Sequence, residues 1–361
     1  MGRATLRQRL VAGLVAGLAA LALRLPDPFL HRLADLLGAL WYVISPGRRA
    51  LARANLARVC AALAARGEAT SRVAAAAGGG RALERLVLAA FRHNARYYLE
   101  MMLAPRYTAA YLLAHLRVET PDAVTALFPG GRLTHPAIIV GMHFGALELP
   151  SLLITRVHGQ SVTAPMERLP NPALQAYLER TRGATGVRIV GIRGSASVLR
   201  AELARGALVG LIADRDIGGN GVPVDLFGVP ARLPAGPALL ALETGADVYV
   251  GAVRRTGWGR YAGGAIRLER PEAGTRRQRV EAYLREEARA FERFVAQAPE
   301  QWWSVFFPIW MDLAPTTSGA APGPAGDARA VVSRRPAPAH PAGAPASAGD
   351  PVAGVDREGT P

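Results

Sequence analysis

The 361-residue chain contains no lysine; all 43 of its Lys-plus-Arg positions are arginine. This excludes a Schiff base, a pyridoxal anchor and a Walker-A phosphate loop, each of which needs an ε-amino group. A single cysteine, Cys60, rules out an internal disulfide and a cysteine-based metal site, and reads as a small core residue. The nearest approach to a Gly-x-Ser-x-Gly elbow, Gly194-Ser195-Ala196-Ser197, opens a helix and lacks the last glycine. His-Glu-x-x-His, paired Cys-x-x-Cys and a Gly-x-Gly-x-x-Gly after a strand are missing too. With no protein nucleophile, metal or redox cofactor in view, the pattern suggests a two-substrate transfer in which a base activates an acceptor hydroxyl.

Apolar runs are also short. The longest near the start, Leu10 to Leu23, has 14 residues, fewer than the ~20 that a bilayer crossing needs. It is flanked by Arg7, Arg9 and Arg24 and followed by a second helical pattern at Leu30, Leu33, Leu37, Leu40 and Ile44. Residues 1–60 hold nine arginines against Asp27 and Asp35, a net +7. Both patterns are expected to form membrane-seeking helices, the first embedded at the interface and the second amphipathic, with arginine stems lying along apolar surface.

The formal net charge is +15, and residues 314–361 contribute nothing to it, with four arginines against four acids. The excess therefore lies in residues 1–313 and points to an anionic partner, nucleic acid or anionic lipid. Basic residues interleaved with exposed aromatics, as an Arg-rich nucleic-acid-binding protein needs, are lacking. The expected partner is an anionic membrane surface, with no nucleic acid.

Four regions follow from the pattern. Residues 1–60 are a membrane-associated helical segment. Residues 61–80, Ala/Gly-rich and ending in Gly78-Gly-Gly80, are a linker. Residues 81–313 open on a long helix and then alternate short β runs with helices, as an α/β fold with a central mixed sheet flanked by helices requires. Residues 314–361 are Pro, Ala, Gly, Ser and Thr with few large apolar groups, and are expected to be disordered.

Chemistry concentrates at strand ends. The apolar run Pro136 to Val140 breaks at Gly141, and His143 follows, with Glu148 five residues on. A histidine at the mouth of a strand, oriented by a carboxylate, is a candidate general base. On one helix the pair would lie ~500° apart, so His143 must sit in the turn and Glu148 in the helix after it. Asp214-Arg215-Asp216 follows the strand Ala207 to Ala213, on the same rim. A carboxylate from this cluster is a second candidate to hold His143, or a partner for Arg215. Glu167 and Arg168 follow another short strand. Trp302, Trp303, Phe306 and Phe307 suit an acyl channel or simple core packing.

In order, these residues resemble a family. His143-Phe-Gly-Ala-Leu-Glu148 is similar to the His-x4-Asp/Glu motif of the glycerolipid acyltransferases. Asp214-Arg-Asp216 through Gly221, Phe227-Gly228, Pro230 and Gly236-Pro237 resembles a second signature of one branch. That branch comprises the lipid A biosynthesis (lauroyl/myristoyl) acyltransferases and the phosphatidylinositol mannoside acyltransferases. Arg49 with Asn55, Asn94 with Tyr97 to Glu100, and Pro299-Glu-Gln-Trp302 add to the resemblance, which spans roughly residues 5–312. It implies O-acyl transfer at the cell inner membrane, from acyl-CoA or acyl-carrier protein to a hydroxyl of a membrane glycolipid. The enzyme would sit on the cytoplasmic face, held peripherally or by its N-terminus. No cofactor or metal is implied beyond the donor substrate. His143 would be the base, Glu148 the motif acid and Asp216 a relay to the histidine. Glu167 would lie near the acyl site, and Arg168, Asp214, Arg215, Phe227 and Gly228 would contact substrate. Oxyanion donors are expected from backbone N–H groups near Gly141 or in the Gly218–Gly221 loop. Where many members carry Asn-Trp before the motif acid, this chain has Ala146-Leu147, which leaves the acceptor open. A family member that has lost catalysis and serves as a membrane-bound partner is the alternative.

Overall fold

The computed structural model describes residues 4–192 and 194–313; the tail expected to be disordered lies outside the described residues. Five helices come first: α1 (Leu6–Ala22), α2 (Asp27–Ile44), α3 (Pro46–Ala65), α4 (Ser71–Ala77) and α5 (Gly80–Leu103). Thr5 starts α1 with a capping box, accepting from the Gln8 N–H while the Gln8 side chain accepts from its own N–H. Proline in the first turn of α2 and of α3 suits positions that have no intrahelical acceptor to lose.

The stretch 61–80 is not a linker. Alanine is the strongest helix former, and here it carries α3 on to Ala65 and builds α4, which bury Leu63, Val73 and Ala76. Nor do residues 1–60 stand apart, since the first three helices belong to the same compact unit as the sheet. Desolvation, with the Glu300 charge adding to it, pushes the Cys60 thiol up to about 12, and Cys60 is a core residue as expected.

Helix α2 is seated on α5 through its small residues. Ala34 is buried, Gly38 meets the backbone at Phe91 and Arg92, Asp35 pairs with Arg96 at 2.6 Å, and Trp41 sets its edge on Phe91. The apolar stripe read from the sequence faces the other way. Of its five residues Leu30 is buried, but Leu33, Leu37, Leu40 and Ile44 are exposed, as are Phe29, Leu36 and Val43. In α1, Leu6, Leu10, Leu14, Leu18 and Leu21 are likewise at least half exposed, while Ala19 and Ala22 are buried. Asn171 Nδ2 ties α1 down by donating to the Gln8 carbonyl at 3.0 Å. Among the described residues, no helix is long and apolar enough to cross a membrane.

After α5 the chain makes α6 (Ala109–His115), the short strand β1 (Leu116–Val118) and α7 (Pro121–Leu127). It then enters the sheet proper with β2 (Ala137–Gly141), all five of whose residues are buried. Next come α8 (Glu148–Leu152), widening into a π-turn over Leu153–Val157, then β3 (Val162–Met166), α9 (Pro172–Gly183), β4 (Val187–Gly191), α10 (Ser195–Ala204) and β5 (Leu208–Ile212). A separate hairpin, β6 (Val222–Leu226) with β7 (Val229–Leu233), precedes α11 (Gly236–Thr244), β8 (Asp247–Gly257), β9 (Arg260–Leu268) and α12 (Arg276–Gln297). The main sheet has seven strands in the order β1-β9-β8-β2-β5-β3-β4, and only the β8–β9 pairing is antiparallel. This is the expected mixed α/β sheet flanked by helices.

Gly38→Ala tests the seating of α2. Its Cβ would stand 2.6 Å from the Arg92 Cα and 2.8 Å from the Phe91 carbonyl oxygen. Overpacking of that kind costs about 1–3 kcal/mol, so the thermal midpoint should fall by several degrees. An unchanged midpoint would mean that the two helices are not this close.

Candidate active site

β2 and β5 run parallel side by side with Gly141 opposite Ile212, and the Ala213 N–H donates to the Gly141 carbonyl at 3.1 Å. Two residues beyond this last rung, His143 and Asp214 emerge together at the C-terminal edge of the sheet, where open α/β sheets place their ligands. The Asp214 carboxylate is buried and takes four donors. Oδ1 lies 2.7 Å from His143 Nδ1; Oδ2 accepts from the His143 N–H at 3.1 Å, Trp302 Nε1 at 2.8 Å and Ser304 Oγ at 2.7 Å.

Burial pushes the Asp214 carboxyl up, but His143 and the hydrogen bonds from His143, Ser304 and Trp302 outweigh it and bring the group to about 2. An ionised carboxylate only accepts, so the proton between the pair sits on Nδ1, and in the neutral imidazole Nε2 is the nitrogen that keeps its lone pair. The imidazole is held further by the edge of the Trp303 ring, 4.4 Å between centroids.

The loop that carries His143 is fixed from behind. Gly145 has φ +53, and a Cβ there would stand 2.0 Å from the Val253 carbonyl oxygen. Its carbonyl accepts from Arg255 Nη2 at 3.0 Å, and its N–H donates to the Gln301 carbonyl at 2.9 Å. Arg255 is itself buried against Glu100, while Gln301 both donates to and accepts from the Arg255 backbone at 2.8 Å. The N–H groups of His143, Phe144, Gly145 and Ala146 are thus all used internally. They are not available as the oxyanion donors expected near Gly141.

The profile of the bacterial lipid A biosynthesis acyltransferases matches residues 3–308. The chain belongs to this family. It is an acyltransferase. A phosphatidylinositol mannoside acyltransferase of Mycolicibacterium smegmatis (strain ATCC 700084 / mc(2)155) is 28% identical over 230 residues, 63% of this chain and 72% of that protein. Another of the same description, from Mycobacterium tuberculosis (strain ATCC 25618 / H37Rv), is 29% identical over 170 residues, 45% of this chain and 52% of that protein.

In this acyltransferase neither Glu148, the motif acid, nor Asp216, the relay implied by the resemblance, reaches the histidine. Glu148, in the first turn of α8, points toward α9 and accepts from Arg182 Nη2 at 2.9 Å. Asp216 lies four residues past the rung that delivers Asp214, already inside the glycine loop. It accepts from the Gly221 N–H at 2.8 Å and lies 3.5 Å from Arg232. Asp214, one of the two cluster acids read as able to hold His143 and placed by the resemblance at the substrate, is the group on His143.

Arg215 lies beside that dyad with its guanidinium carbon 3.5 Å from the centre of the Phe307 ring. Glu167 and Arg168 are exposed beyond β3, and the Glu167 charge acts on Arg215. Phe227 and Gly228 form the β6–β7 turn, with φ +55 and +78 at its two positions, as a tight hairpin turn requires. Glu292 accepts from the Phe227 N–H, and Asp225 accepts from the Gly228 N–H at 2.8 Å. Their position is that of a structural turn, with the Phe227 ring 6.0 Å from Trp302.

The sequence reading missed the work of Ser304, Arg255 and Arg182. The aromatic stretch drew attention to its rings and away from the serine between them. An arginine interrupting the apolar strand β8 was the available signal for Arg255.

The depressed Asp214 pKa sets a pH window. A carboxyl at about 2 when folded and near 3.8 when unfolded stabilises the fold above pH ~4, and the contribution is lost as pH falls toward 2. The shift corresponds to ~2 kcal/mol. Acid titration followed by circular dichroism should show Asp214→Asn losing less stability than the wild type between pH 4 and 2. Parallel curves would contradict the buried ionised carboxylate.

Proposed function

We propose that this chain is a glycolipid O-acyltransferase working at a membrane surface. It moves a fatty acyl group from acyl-CoA or acyl-carrier protein to a hydroxyl of a membrane glycolipid, either phosphatidylinositol mannoside-like or a lipid A precursor. The observation that carries the reading is the His143–Asp214 pair, with Nε2 unengaged at the rim of the sheet. Similarity to phosphatidylinositol mannoside acyltransferases supports the first acceptor class, and the family supports the second.

In this scheme Nε2 takes the proton from the acceptor hydroxyl as its oxygen attacks the thioester carbonyl carbon. The imidazolium that forms is stabilised by the ionised Asp214, which stays deprotonated. Collapse of the tetrahedral intermediate breaks the C–S bond, and the proton on Nε2 passes to the departing thiolate. Among the described residues the N–H groups of Gly218, Gly219 and Asn220 engage no acceptor, whereas Gly221 serves Asp216. Gly218 to Asn220 are therefore the candidate oxyanion donors. General-base help of this kind contributes ~10²–10⁴-fold.

The outward apolar faces of α1 and α2, joined to the net +7 of residues 1–60, support attachment to an anionic leaflet, on the cytoplasmic face. Leucines enter the acyl boundary while Arg7, Arg9, Arg24 and Arg32 meet phosphates. A lipid acceptor would then reach His143 without leaving the membrane.

His143→Ala should retain the fold and lose transfer by about 10²–10⁴-fold, measured as acylated glycolipid by mass spectrometry. A variant with full activity would end the proposal. Mass spectrometry of lipids from cells with and without the protein should show one glycolipid losing an acyl chain. Replacing Leu36 and Leu40 together with glutamate should weaken sedimentation with anionic vesicles by tenfold or more, since each buried leucine contributes about 1.5–3 kcal/mol. Equal sedimentation of variant and wild type would remove these faces from the membrane.

A further inference from the structure

A groove of about 490 Å³ opens beside Asp214, between the loop after β5, the inner face of the β6–β7 hairpin and the segment 307–311. Its walls combine two kinds of group. Ile217, Leu226, Leu233 and Met311 are apolar, and Ile217 and Met311 are more than half exposed at its lip. Arg215 and Arg232 supply two guanidinium groups.

Asp214 and Asp216 line it as well, but the four charged groups are unevenly paired. Among the described residues Arg215 has no hydrogen-bond acceptor and no ion-pair partner, although it is half-buried. Burial pulls its pKa down; Asp214 and Glu167 oppose this, and Arg48 adds to it. Arg232 has only Asp216 at 3.5 Å, on the same Oδ2 that already accepts from the Gly221 N–H. Arg48 brings a third guanidinium to the Phe307 ring, 5.0 Å from its centre on the carbon, and donates to the Phe306 carbonyl with no carboxylate of its own. Of the two carboxylates lining the groove, Asp214 is committed to His143, Trp302 and Ser304, and Asp216 to the Gly221 N–H and Arg232. A half-buried guanidinium without a counter-ion is costly unless an anion completes it. Stacked on Phe307, it is oriented in advance with its donor edge unused.

We propose that this groove is a phosphate-binding subsite for a substrate that joins a phosphate to an alkyl-rich arm. Arg215 is its principal contact and Arg232 the second, with Ile217, Leu226, Leu233 and Met311 taking the arm. The proposal rests on the reading of His143–Asp214 as the transfer centre, because the groove shares Asp214 with it. A phosphate of this description occurs both on a coenzyme A donor and in the head group of a phosphoglycolipid acceptor.

Titration calorimetry on the full chain separates the sources. One arm uses coenzyme A, the other dihexanoyl phosphatidylinositol below its micellar concentration, so that vesicle attachment does not enter. Arg215→Gln should weaken binding of one probe by roughly 10–100-fold, the range of a charge-assisted contact, and Arg215→Lys by less. Loss on coenzyme A alone assigns the groove to the donor, and loss on the phosphoinositide alone assigns it to the acceptor. Loss on both makes it a phosphate site that either substrate enters. Unchanged binding of both probes, or no binding of either to the wild type, overturns the proposal. If the Gln variant melts early, the Lys variant carries the comparison, because it keeps the charge and loses the planar fork. Transfer activity of His143→Ala is read separately: should that variant keep transfer, the base falls while the outcome at Arg215 stands.

Discussion

A buried carboxylate must be surrounded by donors, and in this protein that requirement organises the whole edge of the sheet. Asp214 is almost inaccessible to solvent, and an unpaired charge there would cost several kcal/mol. Its donors come from two distant parts of the chain, the loop after β2 and the segment 302–304. That segment has to be delivered to the sheet edge and kept there. Asn55 on α3 does part of this by donating to the Val305 and Phe307 carbonyls at 2.7 and 2.9 Å. Trp41, Phe91 and Phe306 do more, their rings meeting pairwise within 5 Å. The amino-terminal helices are thus part of the scaffold that sets the geometry of His143.

The Glu100–Arg255 pair plays the complementary part. It is buried on both sides and shares its charge with the Gly145 carbonyl and the Tyr261 hydroxyl. The hydrogen bonds to Glu100 and Gly145 give each partner enough contacts to offset desolvation, the condition under which a buried ion pair is tolerated. The consequence is a histidine loop whose backbone N–H groups from His143 to Ala146 are all engaged.

Much of the fold was legible. The apolar runs that became β2 and β5 are local patterns, and their ends fell within one residue of expectation. The rest failed for identifiable reasons. Alanine-rich 61–80 read as a linker because composition does not show what a helix packs against; Leu63, Val73 and Ala76 found a core. By contrast, the pattern Leu33, Leu37, Leu40, Ile44 was read as an amphipathic helix and is one, with all four residues exposed, although periodicity alone does not say which way a stripe faces. Only the close approach of Gly38 to α5 turned it outward. At the site, His143 and its rim were readable, whereas the choice among Glu148, Asp214 and Asp216 was not. That choice depends on a register between two strands some seventy residues apart.

What the sequence by itself determined is the chemistry on offer. It holds a histidine at a strand mouth, acids on the same rim, no lysine, no cysteine pair and a basic, leucine-rich start. These are matters of residue type and near-neighbour spacing, and short-range sterics and hydrophobic periodicity are enough to place them on strand ends and helices. Which acid holds the histidine, whether Arg215 has a counter-ion and which face of α2 meets solvent were decided by tertiary structure. Each depends on desolvation and on hydrogen bonds between residues remote in the chain. Gly141 opposite Ile212 put Asp214 on His143, and the same alignment left Asp216 to the glycine loop and Glu148 to Arg182.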